Sequence, residues 1–240
     1  MQAEVIGALI GKAAPQVECS PEAVGRYVEE LSRSLSATTQ EGEASDLASL
    51  LSYPVPAMTA DGCSRLDGSL EEAPFDLGAV LGLDGDPAAP AAQALVQLDS
   101  LVDRVARDLA LDWLGIYQRR ERPGGAALVK LVYRGIPSRA EFPLTKEFAR
   151  RSNNSSVGLS GNAVIINDIE QYLWESGGPY YQCDSKVLSE ACLPIFSADS
   201  EAVIGIVDAE SWNRQAFTSE TVSRLFGCAI VSSHLLQSID

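Results

Sequence analysis

The chain has 240 residues, of which 46% are hydrophobic, and this is enough apolar side chain to exclude wholesale disorder. Its formal net charge of −15 argues against nucleic acid and anionic membrane surfaces as partners, because both repel a strongly acidic protein. No apolar run approaches the roughly 20 residues that span a bilayer, and the short apolar segment 5–11 has no basic flank before it, so we expect a cytoplasmic protein.

Residues 1–90 are predicted to form a helical and loop extension. A helix begins at Ser20-Pro21-Glu22, because serine caps a helix, proline suits its first turn and glutamate faces the positive end of the dipole. A second short helix is predicted over residues 46–51, and the stretch to Pro90 is rich in turn-forming residues. We expect these helices to pack on the rest of the chain, with a dimer contact as the alternative.

Residues 91–240 are predicted to form one α+β domain. A helix from Ala92 to about Leu111 begins it, since its leucines and valines recur on one face. Strand-like runs follow, the first two joined by a turn at residues 123–125, and a last helix starts after the capping residue Thr218. The predicted strands are residues 113–117, 127–133, 163–169, 191–196 and 202–208. This order is typical of an antiparallel sheet with helices on one side.

The histidine and cysteine content limits the chemistry that the chain can perform. The single histidine, His234, lies in the predicted last helix, which excludes a Ser-His-Asp triad, a Cys-His protease and a multi-histidine metal site. The five cysteines include no Cys-x-x-Cys pair, so they predict neither a zinc site nor a disulfide scaffold. We expect no metal and no cofactor, and chemistry that depends on carboxylates, thiols and hydroxyls.

Five segments of this region occur in the order and spacing of one known superfamily. They are residues 112–117, 132–135, 166–169, 189–195 and 203–211. Together they resemble a GAF domain, a fold that encloses a small ligand over an antiparallel sheet. The resemblance implies a GAF-like antiparallel sheet flanked by helices, with the N-terminal helical extension added to it, and a small-molecule ligand.

Within the GAF superfamily the sequence is most similar to the free methionine-(R)-sulfoxide reductases. The Cys183-Asp184 pair, followed by Ser189-Glu190, matches that family most closely. The resemblance implies that Cys183 attacks the sulfoxide sulfur and that Glu190 helps to line the pocket. We expect a thiol reductant such as thioredoxin or glutathione as a partner, and a homodimer.

The same resemblance implies further site residues on two strands. Asp208 and Glu210 correspond to a pair of acidic groups, and Trp113 and Tyr117 correspond to aromatic side chains that flank the substrate. Core packing explains the two aromatic residues almost as well. A wider aromatic lining would also include Trp174, Tyr180 and Tyr181.

The spacing of the acidic residues supports a shared site independently of the resemblance. Asp208 and Glu210 are two residues apart on a predicted strand, so their side chains point the same way. If Glu190 joins them, mutual repulsion raises the pKa of at least one carboxyl, and the cluster attracts the ammonium of an amino acid. The alternative is that Asp208 and Glu210 end a strand in solvent.

Two cysteines are candidates for redox chemistry. Cys183 follows the Gly- and Tyr-rich loop 176–182, in which Tyr181 and Gln182 are candidate substrate contacts, and the alternative is a loop cysteine without a role. Cys192 shares a strand face with Glu190, so it is a candidate to resolve a sulfenic acid on Cys183. The alternative for Cys192 is a small buried core residue.

The usual disulfide relay of the reductases is missing or rebuilt in this chain. Typical members carry two further cysteines, and the corresponding places here hold residues near Arg139 and Asn154. The segment 146–161 is also several residues longer than usual. Two functions therefore stay open: thiol-dependent reduction of free L-methionine (R)-sulfoxide, and a non-catalytic GAF protein that binds a small molecule or senses redox state.

Overall fold

The computed structural model describes residues 2–41, 47–59, 64–65, 67–83, 86–176, 184, 186–199 and 201–239. The helices are α1 (Ala3–Ala13), α2 (Pro21–Glu41), α3 (Leu47–Leu51), α4 (Leu77–Leu81), α5 (Pro90–Asp108), α6 (Asn153–Ser160), α7 (Ile169–Ser176) and α8 (Ser219–Ser238), with a 3₁₀ turn, η1, at Phe148–Arg150. The strands are β1 (Ser52–Tyr53), β2 (Phe75–Asp76), β3 (Trp113–Arg122), β4 (Gly125–Arg134), β5 (Glu141–Pro143), β6 (Val164–Ile166), β7 (Ser189–Phe196) and β8 (Val203–Ser211).

Six strands form one antiparallel sheet in the order β5-β4-β3-β8-β7-β6. The β3–β4 hairpin turns through residues 123–124, and Gly125 has a φ of +104°, which a residue with a side chain rarely adopts. Strands β3, β8 and β7 occupy the middle of the sheet. Functional side chains on these strands are therefore held by hydrogen-bonded neighbours on both sides.

The sheet separates two apolar clusters. One face carries the main core, which α5 and α8 cover with Leu95, Leu98, Leu225 and other buried side chains. The other face carries a smaller cluster under α6 and η1, built from Trp113, Tyr117, Leu128, Phe142, Leu144, Phe148, Val157, Cys192 and Ile206. Three candidate site residues, Trp113, Tyr117 and Cys192, belong to this smaller cluster.

The N-terminal helices pack on the main core. Ile6 of α1 and Val24 and Leu31 of α2 are buried in the same cluster as the side chains of α5 and α8. Ser20 caps α2, since its Oγ accepts a hydrogen bond from the backbone N–H of Ala23. Helix α2 lies against α8 and α5, so it forms an outer layer over the helices that cover the sheet face opposite the smaller cluster.

The predicted α+β class and the antiparallel sheet with flanking helices are confirmed. The prediction that the helices lie on one side of the sheet is wrong, because α6 packs on the face opposite α5 and α8, and some element boundaries also differ. The predicted strand 163–169 is too long, because β6 ends at Ile166 and Asp168 caps α7 by accepting a hydrogen bond from Gln171 N–H. The pattern also missed α1, whose buried residues are apolar, and the short elements β1, β2, α4, β5, η1, α6 and α7. Among the described residues, no helix has the length and apolarity needed to cross a membrane.

Candidate functional site

The strand register brings the predicted acidic residues together at the centre of the sheet. Glu190 of β7 lies opposite Glu210 of β8, and Cys192 lies opposite Asp208. On its other side Asp208 lies opposite Gly115 of β3. Because side chains alternate along a strand, these residues face the smaller cluster under α6.

Asp208 is the most unusual side chain of this group. It is only 4% exposed, its Oδ2 accepts a hydrogen bond of 2.7 Å from Asn154 Nδ2, and its Oδ1 has no partner among the described residues. Burial and the nearby carboxylate of Glu190 raise the pKa of Asp208 to about 8, although Asn154 and Lys130 act in the opposite direction. At neutral pH Asp208 is therefore largely a protonated acid.

The other two acids share this environment. Glu190 is buried, and its Oε1 accepts a hydrogen bond of 3.0 Å from Asn153 Nδ2. Glu210 is half-buried, and burial followed by the charges of Asp208, Glu190 and Asp184 raises the pKa of Glu210 well above its usual value. Glu210 therefore holds its proton at pH values at which an exposed glutamate would release it.

Trp113 and Tyr117 lie beside the acids on the same face. A glycine at position 115 makes room for the indole, since a Cβ there would lie 2.3 Å from Cη2 of Trp113. The indole Nε1 donates to the carbonyl of Ile136 at 3.0 Å, and the two aromatic rings are 6.3 Å apart. Trp113 therefore lies flat across Gly115, next to Asp208 on the neighbouring strand.

Lys130 is a buried cation near the acids that the sequence reasoning missed. Its Nζ donates to the carbonyl and the hydroxyl of Ser138 at 2.7 and 2.9 Å, and it lies 4.0 Å from the ring centroid of Tyr133. The phenol of Tyr53, from the N-terminal extension, donates to the carbonyl of Lys130 at 2.6 Å. The available signal was a lysine inside the apolar strand run 127–133.

Of the two candidate redox cysteines, the structure describes Cys192 but not Cys183. Cys192 is fully buried, and burial, then the charges of Asp208 and Glu190, raises the pKa of its thiol well above the usual value. A protonated thiol is a poor nucleophile, which favours the alternative that Cys192 is a core residue. Cys183, Tyr181 and Gln182 lie outside the described residues.

Two further positions bear on the missing relay. The carbonyl of Arg139 accepts a hydrogen bond from Tyr117 at 3.2 Å, while Asn154 holds Asp208. The sequence shows only that neither position is a cysteine, and it does not predict these contacts. Trp174, by contrast, is 89% exposed on α7 and is separate from Trp113 and Tyr117.

Among the described residues, no group of three or more His, Cys, Asp or Glu side chains is arranged to hold a metal ion.

Comparison with known proteins identifies structural but not sequence relatives. No family model and no curated protein matches the sequence. The type II free methionine-R-sulfoxide reductase from Thermoplasma acidophilum is 20% identical, with a TM-score of 0.52 over 62% of this chain and 95% of its own. The free methionine-R-sulfoxide reductase from Neisseria meningitidis, solved with its substrate, is 19% identical, with a TM-score of 0.50 over 67% and 83%.

A GAF domain from an Acinetobacter phosphoenolpyruvate-protein phosphotransferase is 17% identical, with a TM-score of 0.49 over 60% of this chain and 82% of its own. The resemblance inferred from the motifs is confirmed at the level of fold, since this chain has the GAF-like fold of the free methionine-R-sulfoxide reductases. Identities of 19 and 20% say nothing about catalysis.

Proposed function

We propose that this protein reduces free L-methionine (R)-sulfoxide with a cysteine thiol. The observation that carries the proposal is the meeting of Glu190, Asp208 and Glu210 beside Trp113 on one face of a GAF-like sheet. A buried carboxylic acid with a free oxygen can give a proton to a sulfoxide, and a second carboxylate can bind the α-ammonium of an amino acid. The aromatic ring offers an apolar surface to the methyl group.

The proposed reaction assigns the nucleophile to Cys183. Its thiolate attacks the sulfoxide sulfur while Asp208 protonates the sulfoxide oxygen, and transfer of that oxygen yields methionine and a cysteine sulfenic acid. A thiol reductant then condenses with the sulfenic acid and releases water, and a second thiol frees Cys183 from the mixed disulfide. Two thiols are oxidised for each sulfoxide reduced.

Support for Cys183 comes from its neighbour in the sequence. Asp184 lies close enough to Glu210 to raise the pKa of that carboxyl. The chain at Asp184 therefore approaches the acidic cluster, as the proposed role of Cys183 requires. Tyr181 and Gln182 are proposed substrate contacts on the same stretch of chain.

A binding protein without catalysis is the second candidate. It is favoured because the described residues offer no reactive thiol for a relay: Asn154 donates a hydrogen bond to Asp208, and burial raises the pKa of the Cys192 thiol. In that case the same acids and aromatic residues would bind a small amine, and Cys183 would be incidental or would sense oxidants. We further propose a cytoplasmic homodimer for either function.

The deciding experiment measures loss of free methionine (R)-sulfoxide with dithiothreitol as the reductant. We expect turnover by the wild type and none by Cys183→Ser, because the hydroxyl cannot accept the oxygen. Cys19→Ser is the matched control, since Cys19 is half-buried between α1 and α2 and should leave turnover unchanged. A wild type that binds the sulfoxide by calorimetry without consuming it would instead support the binding protein.

A further inference from the structure

Two asparagines at the start of α6 hold two of the three site carboxyls. Asn154 donates from Nδ2 to Oδ2 of Asp208 at 2.7 Å, and Asn153 donates from Nδ2 to Oε1 of Glu190 at 3.0 Å. Asn154 is itself buried, with 5% of its surface exposed. A consecutive amide pair thus contacts carboxyls on two adjacent strands.

Helix α6 is fixed firmly enough to position these amides. Ser152 caps it by accepting a hydrogen bond from Ser155 N–H, and the Ser155 hydroxyl donates to the carbonyl of Pro143 at 2.9 Å. Val157 is fully buried, and Gly158 allows close contact, because a Cβ there would lie 2.8 Å from Leu144. The helix therefore cannot slide along the sheet without breaking several contacts.

The bond from Asn154 determines which oxygen of Asp208 can carry a proton. An amide N–H needs an acceptor, so Oδ2 accepts and the hydrogen of the acid lies on Oδ1. Oδ1 is the buried atom without a partner among the described residues. We propose that Asn154 is a positioning residue that directs the proton of Asp208 to Oδ1, where an uncharged oxygen acceptor of the ligand receives it.

This inference deepens the proposed function, on which it rests, by giving the proton a defined source. During transfer the Oδ1–H bond breaks, the proton joins the sulfoxide oxygen, and Asp208 becomes a carboxylate that Asn154 still stabilises by its hydrogen bond. Solvent returns the proton after product leaves. A buried acid that must ionise during a reaction benefits from a donor of this kind.

The groups that surround Asp208 determine how its titration responds to a mutation. Among the described residues, those with charge or a titratable proton are Glu190 and Cys192 on β7, Glu210 on β8 and Lys130 on β4. Within the described part of the chain, Asn154 alone donates a side-chain hydrogen bond that favours the ionised form of Asp208. Its removal should therefore raise the pKa of Asp208 further, while the other groups stay in place.

The test compares wild type with Asn154→Ala. Under the proposed function we expect turnover at the pH optimum to fall about 10- to 100-fold, as for the loss of a positioning contact, with KM little changed. The alkaline limb of the pH profile should move to higher pH, because Asp208 must be protonated to act. A merely structural role would lower turnover without moving that limb. Asn162→Ala, an exposed asparagine just after α6, is the control and should match wild type.

A second readout does not need activity. The carboxylic acid C=O band of Asp208, identified by its absence in Asp208→Asn, should disappear near pH 8 in wild type and at higher pH in Asn154→Ala. An unshifted band together with an unshifted profile would overturn the inference. An inactive wild type would refute the reductase alone, and the infrared shift would still decide the role of Asn154. Asn154→Ser, which loses the amide but leaves a smaller void, serves if Asn154→Ala does not fold.

Discussion

At the scale of single residues, burial of the Asp208 carboxyl lowers the stability of the folded protein at neutral pH and keeps the acid protonated. Asp208 is 4% exposed and its Oδ1 has no partner among the described residues, so burying its carboxylate form costs free energy. The cost is lower when the carboxyl stays protonated and uncharged. The unfolded chain releases the same proton near the usual pKa of 3.8, whereas the folded chain holds it up to about pH 8. The contribution of Asp208 to stability is therefore full below about pH 4 and is lost as the pH rises towards about 8.

Asp208→Asn should remove this pH dependence. Asparagine cannot ionise and can still accept a hydrogen bond from Asn154, so the variant should be more stable than wild type at pH 8 by about 1 to 3 kcal/mol. At pH 5 the advantage should be smaller. Urea denaturation at both pH values measures the difference, and Glu72→Gln, which changes an exposed carboxylate, should match wild type at each pH. An advantage of equal size at both pH values would contradict the raised pKa.

The site residues that the sequence predicts follow a local strand pattern, whereas the others depend on contacts between distant segments. Asp208 and Glu210 interrupt an apolar strand at a spacing of two, and this pattern alone places them on one face. Asn154 lies in a short helix whose position depends on contacts with distant strands, so no local pattern links it to Asp208. Lys130 is visible as a charge within an apolar run, but its partner Ser138 lies in the loop between β4 and β5 and its partner Tyr53 lies in β1 of the N-terminal extension.

At the scale of elements, the site depends on the close approach of β3 and β8. Gly205 of β8 lies so near β3 that a Cβ would be 2.3 Å from the carbonyl oxygen of Tyr117 and 2.9 Å from Cδ1 of Leu236. The first of these atoms belongs to the backbone and cannot rotate away. This contact is only three residues from Asp208, so it helps to set the distance between the acids and the aromatic residues on β3.

Gly205→Ala should therefore destabilise the protein by about 2 to 3 kcal/mol, the usual cost of overpacking a well-packed interior. Gly124→Ala is the matched control, because nothing lies within 4 Å of a Cβ at that turn position. Thermal denaturation followed by circular dichroism measures both. If the two variants unfold at the same temperature, the sheet accommodates the added methyl group by a small shift of β3 relative to β8. The contact at Gly205 would then not fix the geometry of the site.

Long helices could be predicted from the sequence more easily than short elements, because an apolar pattern needs several turns to be recognised. The long helices α2, α5 and α8 each show an apolar stripe over several turns. Helix α6 has eight residues, and its buried side includes Asn154 and Ser155, so a hydrophobic period is absent. Strand β5 has three residues, too few to show alternation, and its existence depends on pairing with β4. Strand β6 also has three residues; its apolar run predicts a strand, but the run continues past the point where pairing with β7 ends.

At the scale of the whole molecule, the N-terminal helices and the sheet share one core. Ile6, Val24 and Leu31 have at most 1% of their surface exposed and belong to the same apolar cluster as the buried side of α8. Tyr27 of α2 also donates from its phenol to Asp108, just before β3. Helix α8 packs on β7 and β8 from the side opposite the acids. The extension therefore supports the two strands that carry the site.

The positions of the tryptophans allow a clear test of this coupling. All three, Trp113, Trp174 and Trp212, lie in residues 91–240, so tryptophan fluorescence reports unfolding of that region alone. Leu31→Ala empties a buried position of α2 and should cost about 2 to 5 kcal/mol. If the core is shared, the urea midpoint measured by fluorescence should fall by as much as the midpoint measured by circular dichroism, because one cooperative unit unfolds.

Leu70→Ala is the control for this substitution, since Leu70 also precedes residue 91 but is 49% exposed, and its midpoints should match those of wild type. A Leu31→Ala variant whose circular dichroism changes while its fluorescence midpoint stays fixed would mean that residues 1–90 unfold separately. The acidic site would then be a property of residues 91–240 alone. A common fall in both midpoints would instead mean that damage to α2 reaches the strands beneath the site, since α2 packs on α8 and α8 packs on β7 and β8.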